Sequence, residues 1–175
     1  MRIERTLDVN VDVDSVHTLM SSPDFQRRKA DAVGAVDCEV DVTHDGDRSV
    51  VTVHRRVPAG TVPEFIKAMV EPTLGVREVE CWGPLLEDGS RCGSFDIDVT
   101  GAPIKLRGSV QLLPRDGGCS LIFGGELTTS VPLFRAAIER AASTQVLDTI
   151  ETEFGLIRSE LVDAPGTRAD EEVVR

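Results

Sequence analysis

Arg5 and Arg55 are the charged residues on otherwise apolar strand faces of this 175-residue chain. A charge buried without a partner is strongly destabilising, so each must reach water, a carboxylate or the anion of a ligand. Both sit near strand ends, where a long side chain can also snorkel to the sheet edge. The chemistry these residues allow is a polar anchor for an acidic ligand, with Glu139 as the partner when the site is empty. Arg55 with Glu139 is also the pair from which acid–base chemistry could be assembled. The histidines do not cluster: His17 falls on a short helix, His44 in a turn, and His54 opposite Asp37 on a polar strand face. Neither a metal site nor a histidine base is expected from them. The chain has no G-x-S-x-G, P-loop or G-x-G-x-x-G pattern, so no catalytic residue, metal or cofactor is assigned.

A second candidate is a row of three residues, Phe95, Gly108 and Gly125, that adjacent strands place side by side. Two glycines facing each other can bend a sheet and be covered by an aromatic ring. They can also leave volume for a ligand, and both readings stand at this point.

The elements that position these residues follow from turn chemistry. Asp-Gly occurs at Asp45-Gly46, Asp88-Gly89 and Asp116-Gly117 between alternating apolar runs, a strong hairpin signal. A turn centred on Asp45-Gly46 pairs residues whose numbers sum to 91, setting Val40 against Val51 and Cys38 against Val53 on an apolar face. Turns at Gly101-Ala102 and Asp116-Gly117 give sums of 203 and 233. They align Ile97 with Leu106, Val110 with Phe123, and Gly108 with both Phe95 and Gly125. In the strand near residues 75–83, Val76 and Trp82 share a face with Glu78 and Glu80, and the alternation does not choose the inner side. Two short helices follow the first strand, capped by Asp12 or Asp14 and by Ser22-Pro23. A small helix carries Phe65, Ile66 and Met69.

A long helix runs from near Pro132 to about Leu161, with a core stripe of Leu147, Ile150, Phe154, Ile157 and Leu161. Upstream, Phe134 and Ile138 lie opposite that stripe and Glu139 and Ser143 continue it. Either the helix kinks near Ser143, or its first half turns a small, polar face to the sheet. Residues 1–162 then form one domain, and the acidic stretch 163–175 is expected to be disordered.

The formal net charge of -11 argues against nucleic-acid binding and reads as solubility. No apolar run reaches membrane-spanning length, and the N-terminus lacks a secretory apolar region. Cys38, Cys81, Cys92 and Cys119 form no C-x-x-C pair and are expected to be buried thiols, with a Cys81–Cys92 bridge across the Asp88-Gly89 loop as the alternative. The expected location is cytoplasmic.

The order of elements, and the opening Arg5-Thr6-Leu7-Asp8-Val9 followed by Asp14 to Gln26, resemble the START-like, or polyketide cyclase and lipid transport, superfamily, and more narrowly its actinobacterial DUF2505-like branch. The resemblance implies an α+β helix-grip fold: a curved antiparallel sheet of about seven strands wrapped around a long C-terminal helix. It also implies a cavity between sheet and helix, with the small helix at its mouth. Ile66 and Met69 would gate that cavity, Phe95, Ile97, Leu106, Val110 and Phe123 would line it beside Gly108 and Gly125, and Arg5, Arg55 and Glu139 would be its polar contacts. The expected function is binding of a small, largely apolar molecule of lipid, polyketide or aromatic type, without catalysis, by a monomer or homodimer. Two alternatives remain open: a cyclase-, dehydratase- or hydrolase-like enzyme, and an interaction domain using Phe134 and Ile138.

Overall fold

The computed structural model describes residues 1–60 and 64–161, apart from the side chains of residues 65, 66 and 69. The gating role expected of Ile66 and Met69, and the acidic tail, lie outside the described residues. The elements are β1 (Arg2–Val9), α1 (Val13–Met20), α2 (Pro23–Ala32), β2 (Asp37–Asp45), β3 (Arg48–Pro58), a 3-10 turn (Glu64–Met69), β4 (Thr73–Leu85), β5 (Arg91–Thr100), β6 (Ile104–Arg115), β7 (Gly118–Thr129), a second 3-10 turn (Pro132–Phe134) and α3 (Arg135–Leu161). The seven strands form one antiparallel sheet in the order β1-β7-β6-β5-β4-β3-β2. This is the helix-grip arrangement. Asp12 caps α1 by accepting from the Ser15 amide at 2.8 Å, and Ser22 caps α2 ahead of Pro23.

The registers of β5–β6 and β6–β7 are those expected, with Gly108 opposite both Phe95 and Gly125. The β2–β3 hairpin differs. Val40 faces Val53, Cys38 faces Arg55 and Asp45 faces Arg48, so the central turn residues are Gly46 and Asp47. Gly46 supplies the positive φ of 59°, and among the described residues no non-glycine residue has one. The turn therefore needs left-handed backbone at its first central position only, as in type II′, rather than at both. The shift is two residues, which leaves each side chain on its expected face.

In β4 the face carrying Glu78, Glu80 and Trp82 is the inner one, and all three are buried. Arg77 and Cys81 face outward, exposed. Helix α3 is continuous over 27 residues. Its buried line runs Glu139, Ser143, Ile150, Glu153, Phe154 and Ile157, so the first half does turn a small, polar face inward. Ile138 departs from expectation: it is 3% exposed, whereas Phe134 is 39% exposed. One residue before Glu139, and so about 100° around the helix, Ile138 lies on the flank of the buried line, where an apolar side chain is covered too. The apolar surface expected from Phe134 and Ile138 together is therefore not present.

The core, on the concave face, joins Leu7, Val16, Met20, Phe25, Leu112, Leu121, Phe154 and Ile157. The cysteines are free thiols, but Cys81 and Cys92 are exposed. Both lie on the outer face of the sheet, so the expectation of burial fails for them. No helix among the described residues is long and apolar enough to cross a membrane.

Candidate functional site

A cavity of about 470 Å³ lies between the inner face of the sheet and α3. Phe95, Ile97, Leu106, Phe123 and Leu127 form much of its apolar wall. Its other end is charged: Lys29 from α2, Arg55 from β3, Glu78 from β4 and Glu153 from α3 all border it. These four side chains are 2–7% exposed and form one chain of ion pairs. Arg55 Nη1 donates to Glu78 Oε2 at 2.6 Å, and Lys29 Nζ donates to Glu78 Oε1 at 2.9 Å. Lys29 Nζ also lies 2.9 Å from Glu153 Oε2. Glu80, two residues along the same strand face, is 2% exposed and accepts from the Trp82 indole N–H.

The charges do not balance. Lys29 and Arg55 supply two cations, and Glu78, Glu80 and Glu153 supply three carboxyl groups. For side chains this deeply buried, the surplus negative charge is most cheaply removed by a proton. Burial alone would raise the carboxyl of Glu78, but Lys29 and Arg55 outweigh it and hold it down to about 2. Burial pushes Glu80 up to about 8, with only Lys29 and the Trp82 hydrogen bond opposing. Glu153 is raised as well, first by burial and then by Glu78, against the pull of Lys29. Burial disfavours the Lys29 ammonium, yet Glu153 and Glu78 reverse that and raise its affinity for the proton. Two atoms in the cluster have no hydrogen-bond partner among the described residues, Arg55 Nε and Glu153 Oε1.

A second polar group sits behind Trp82. His17 packs edge-on to the indole with ring centres 5.4 Å apart, and its Nε2 is 3.0 Å from Ser49 Oγ. Burial, helped by Arg91, lowers its pKa to about 4. Arg91 is buried and donates to Asp47 Oδ1 at 2.7 Å and to the Gly83 carbonyl at 2.8 Å.

Residues 4–159 match the family described as Protein of unknown function (DUF2505). The chain belongs to that family. Solved structures with the same architecture include a STAR-related lipid transfer protein fragment from Xanthomonas axonopodis. It is 12% identical over 92% of this chain and 85% of that one, with a TM-score of 0.62. A Thermus thermophilus protein is 15% identical over 95% and 99%, with a TM-score of 0.59. Norcoclaurine synthase from Thalictrum flavum is 13% identical over 94% and 87%, with a TM-score of 0.55. No curated protein matches the chain. At these identities the likeness is one of fold.

Several residues singled out from the sequence sit elsewhere in this DUF2505 chain. Arg55 is at the cavity, but its partner is Glu78 and not Glu139. Glu139 instead lies 3.1 Å from the amino terminus of Met1, beside the far edge of the sheet. Arg5 is half-exposed and lies 3.4 Å from Glu151 on the surface of α3. Its side chain reaches the sheet edge, as snorkelling predicts. Val110 is fully buried in the core and does not border the cavity. Phe95, Ile97, Leu106 and Phe123 do border it.

On the inner face of the sheet Gly108 and Gly125 leave no open volume, because the Phe95 ring covers them. A Cβ on Gly125 would meet Phe95 Cζ at 2.9 Å and the Arg107 carbonyl oxygen at 3.1 Å. One on Gly108 would strike the Gly124 carbonyl oxygen and lie 2.6 Å from Gly125 Cα. Backbone cannot step aside as a ring can. Gly108→Ala is therefore expected to lower the thermal midpoint far more than Gly125→Ala, by calorimetry of both. Equal midpoints would show that β6 and β7 do not approach this closely.

Sequence reasoning missed Lys29, Glu153 and the inward turn of Glu78 and Glu80. A signal existed for each. Lys29 lies four residues after Phe25 on one helix face, Glu153 falls beside Phe154 in the core stripe, and Glu78 and Glu80 share a strand face with Trp82.

Proposed function

We propose that this protein binds a small, largely apolar molecule of lipid, polyketide or aromatic type in the cavity between sheet and α3, without chemical change. The observation that supports this reading is the asymmetry of the cavity, with an apolar wall built on Phe95, Leu106 and Phe123 and one charged end. Such a space favours an amphiphile, body against the wall and polar group at the charged end. The carboxylates that face it, Glu78 and Glu153, are each tied to Lys29. Glu80, whose proton is held near neutral pH, does not border it. That arrangement favours holding a molecule over shuttling protons to it. The free thiols accord with a reducing, cytoplasmic setting.

The neutral fluorescent dye Nile red tests the site. Its emission is expected to rise on adding protein, and Ile97→Trp, which fills the cavity from its apolar wall, is expected to weaken binding by about tenfold or more. Equal binding by both proteins, at equal thermal midpoints, would place the dye elsewhere and remove the reading. Native mass spectrometry of the purified chain would show any copurifying ligand and whether one or two copies assemble.

A further inference from the structure

We infer that the ligand's polar group is a cationic amine, seated beside Glu153 where it completes the charge balance of the buried cluster; this rests on the cavity being the binding site. The cluster contains two cations and three carboxyl groups, so what it lacks is positive charge. Every oxygen of Glu78 is bonded, one to Lys29 and one to Arg55. Glu80 accepts from Trp82. Glu153 borders the cavity, is 2% exposed, and uses Oε2 for Lys29. Its Oε1 is buried without a hydrogen-bond partner among the described residues. The missing element is thus a charged N–H donor at that oxygen. A carboxylate or phosphate would bring a fourth acid into the same space, with both cations already engaged. Arg55 Nε, also without a partner among the described residues, offers a donor to a hydroxyl or carbonyl elsewhere on the molecule. Of the other charged residues that border the cavity, Lys105 is exposed and paired with Asp98 at 2.7 Å, and Asp148 is a further acid. The net charge of -11 draws cations from solution.

The proton balance follows. In the empty site the surplus negative charge is held as a proton on Glu80 or Glu153, both raised by burial. The groups facing that proton are Lys29 from α2, Arg55 from β3, Glu78 and Trp82 from β4, and Glu153 from α3, with neutral His17 of α1 behind Trp82. An ammonium that enters replaces the proton, so ligand plus protonated site gives complex plus one H⁺.

A matched series separates the possibilities: decylamine, decanol and decanoate competing with Nile red at pH 7. Decylamine is expected to displace the dye at about tenfold lower concentration than decanol, with decanoate weakest. Calorimetry in two buffers of different ionisation enthalpy should show release of up to about one proton per decylamine bound. Glu153→Gln should bring decylamine down to the level of decanol while Nile red still binds. If that variant does not fold, Glu80→Gln serves, since it leaves two cations and two carboxyl groups and should abolish both the amine preference and the proton release. Decanoate binding as tightly as decylamine, or decylamine binding without proton release, would overturn the amine assignment and leave the cavity reading intact. Failure of Nile red and of all three amphiphiles to bind would overturn both.

Discussion

Lys29→Met should destabilise the protein by about 3–5 kcal/mol at pH 7, the usual consequence of breaking a buried ion pair from one side. Lys29 Nζ is held between Glu78 and Glu153 at 2.9 Å each, and its side chain is 2% exposed. Without it, three buried carboxyl groups share Arg55 alone. Those groups then bind protons more tightly in the folded state than in the unfolded one. The lost stability should therefore return in part as pH falls towards 5. Adding Glu153→Gln to Lys29→Met should also restore part of it at pH 7. Arg56→Ala is the control. Arg56 pairs with Asp37 at 2.5 Å, but both side chains are about half-exposed or more. Its removal should change stability by less than about 1 kcal/mol. Urea denaturation of the four proteins measures the differences, and equal losses from Lys29→Met and Arg56→Ala would show that the cluster is wet.

Glu80 should give the protein an alkaline weakness. Its carboxyl titrates near 8 in the folded chain against 4.5 when unfolded. A group whose folded pKa is raised contributes stability that is complete below the unfolded value and is lost as pH climbs through the folded one. The full loss is on the order of 3–5 kcal/mol. His17 has the opposite sign, because burial lowers its folded pKa to about 4 from 6.5. Its contribution grows as pH rises from about 4 to 6.5. The two slopes oppose each other between about pH 4.5 and 6.5, so the net fall should emerge between about 6.5 and 8. Glu80→Gln keeps an oxygen for the Trp82 indole and removes the ionisation. It should flatten that fall and be more stable than the natural chain at pH 9. A natural profile already flat from pH 6.5 to 9 would mean that Glu80 stays ionised in the folded state.

The parts of this fold that could be read in advance are those where the turn glycine falls where the local signal puts it. At Asp116-Gly117 the glycine takes the second central position of the β6–β7 turn, with φ of 74°. At Asp45-Gly46-Asp47 two turns satisfy the same glycine. The choice is made at a distance, by Asp47, whose side chain accepts from Arg91 and from the Leu85 amide at 2.7 Å each. No periodicity carries that information. The same reasoning explains the site. Arg55 stood out as one charge on an apolar face, and Glu139 was the nearest acid on the helix line expected to face the sheet. The real partners come from α2, β4 and α3, and each one alone looks like a misplaced surface residue. Lys29 ends the run Arg27-Arg28-Lys29, where only the helical spacing from Phe25 separates the buried residue from its two exposed neighbours. A charge network is a property of the sum, and it becomes visible only when the residues are counted together.

The sheet also has two open edges, and that of β2 is a Val-containing strand with free backbone groups along one side. Such an edge invites an identical strand to add to it and continue without end. Here the outward row of β2 is Asp37, Glu39 and Asp41, all exposed. An antiparallel copy laid against it would bring carboxylates against carboxylates. The acidity of this chain thus acts where it matters most for self-association, at a strand that could otherwise seed fibrils. The protection weakens as solution conditions approach the isoelectric point near 4.7 or as salt screens the row.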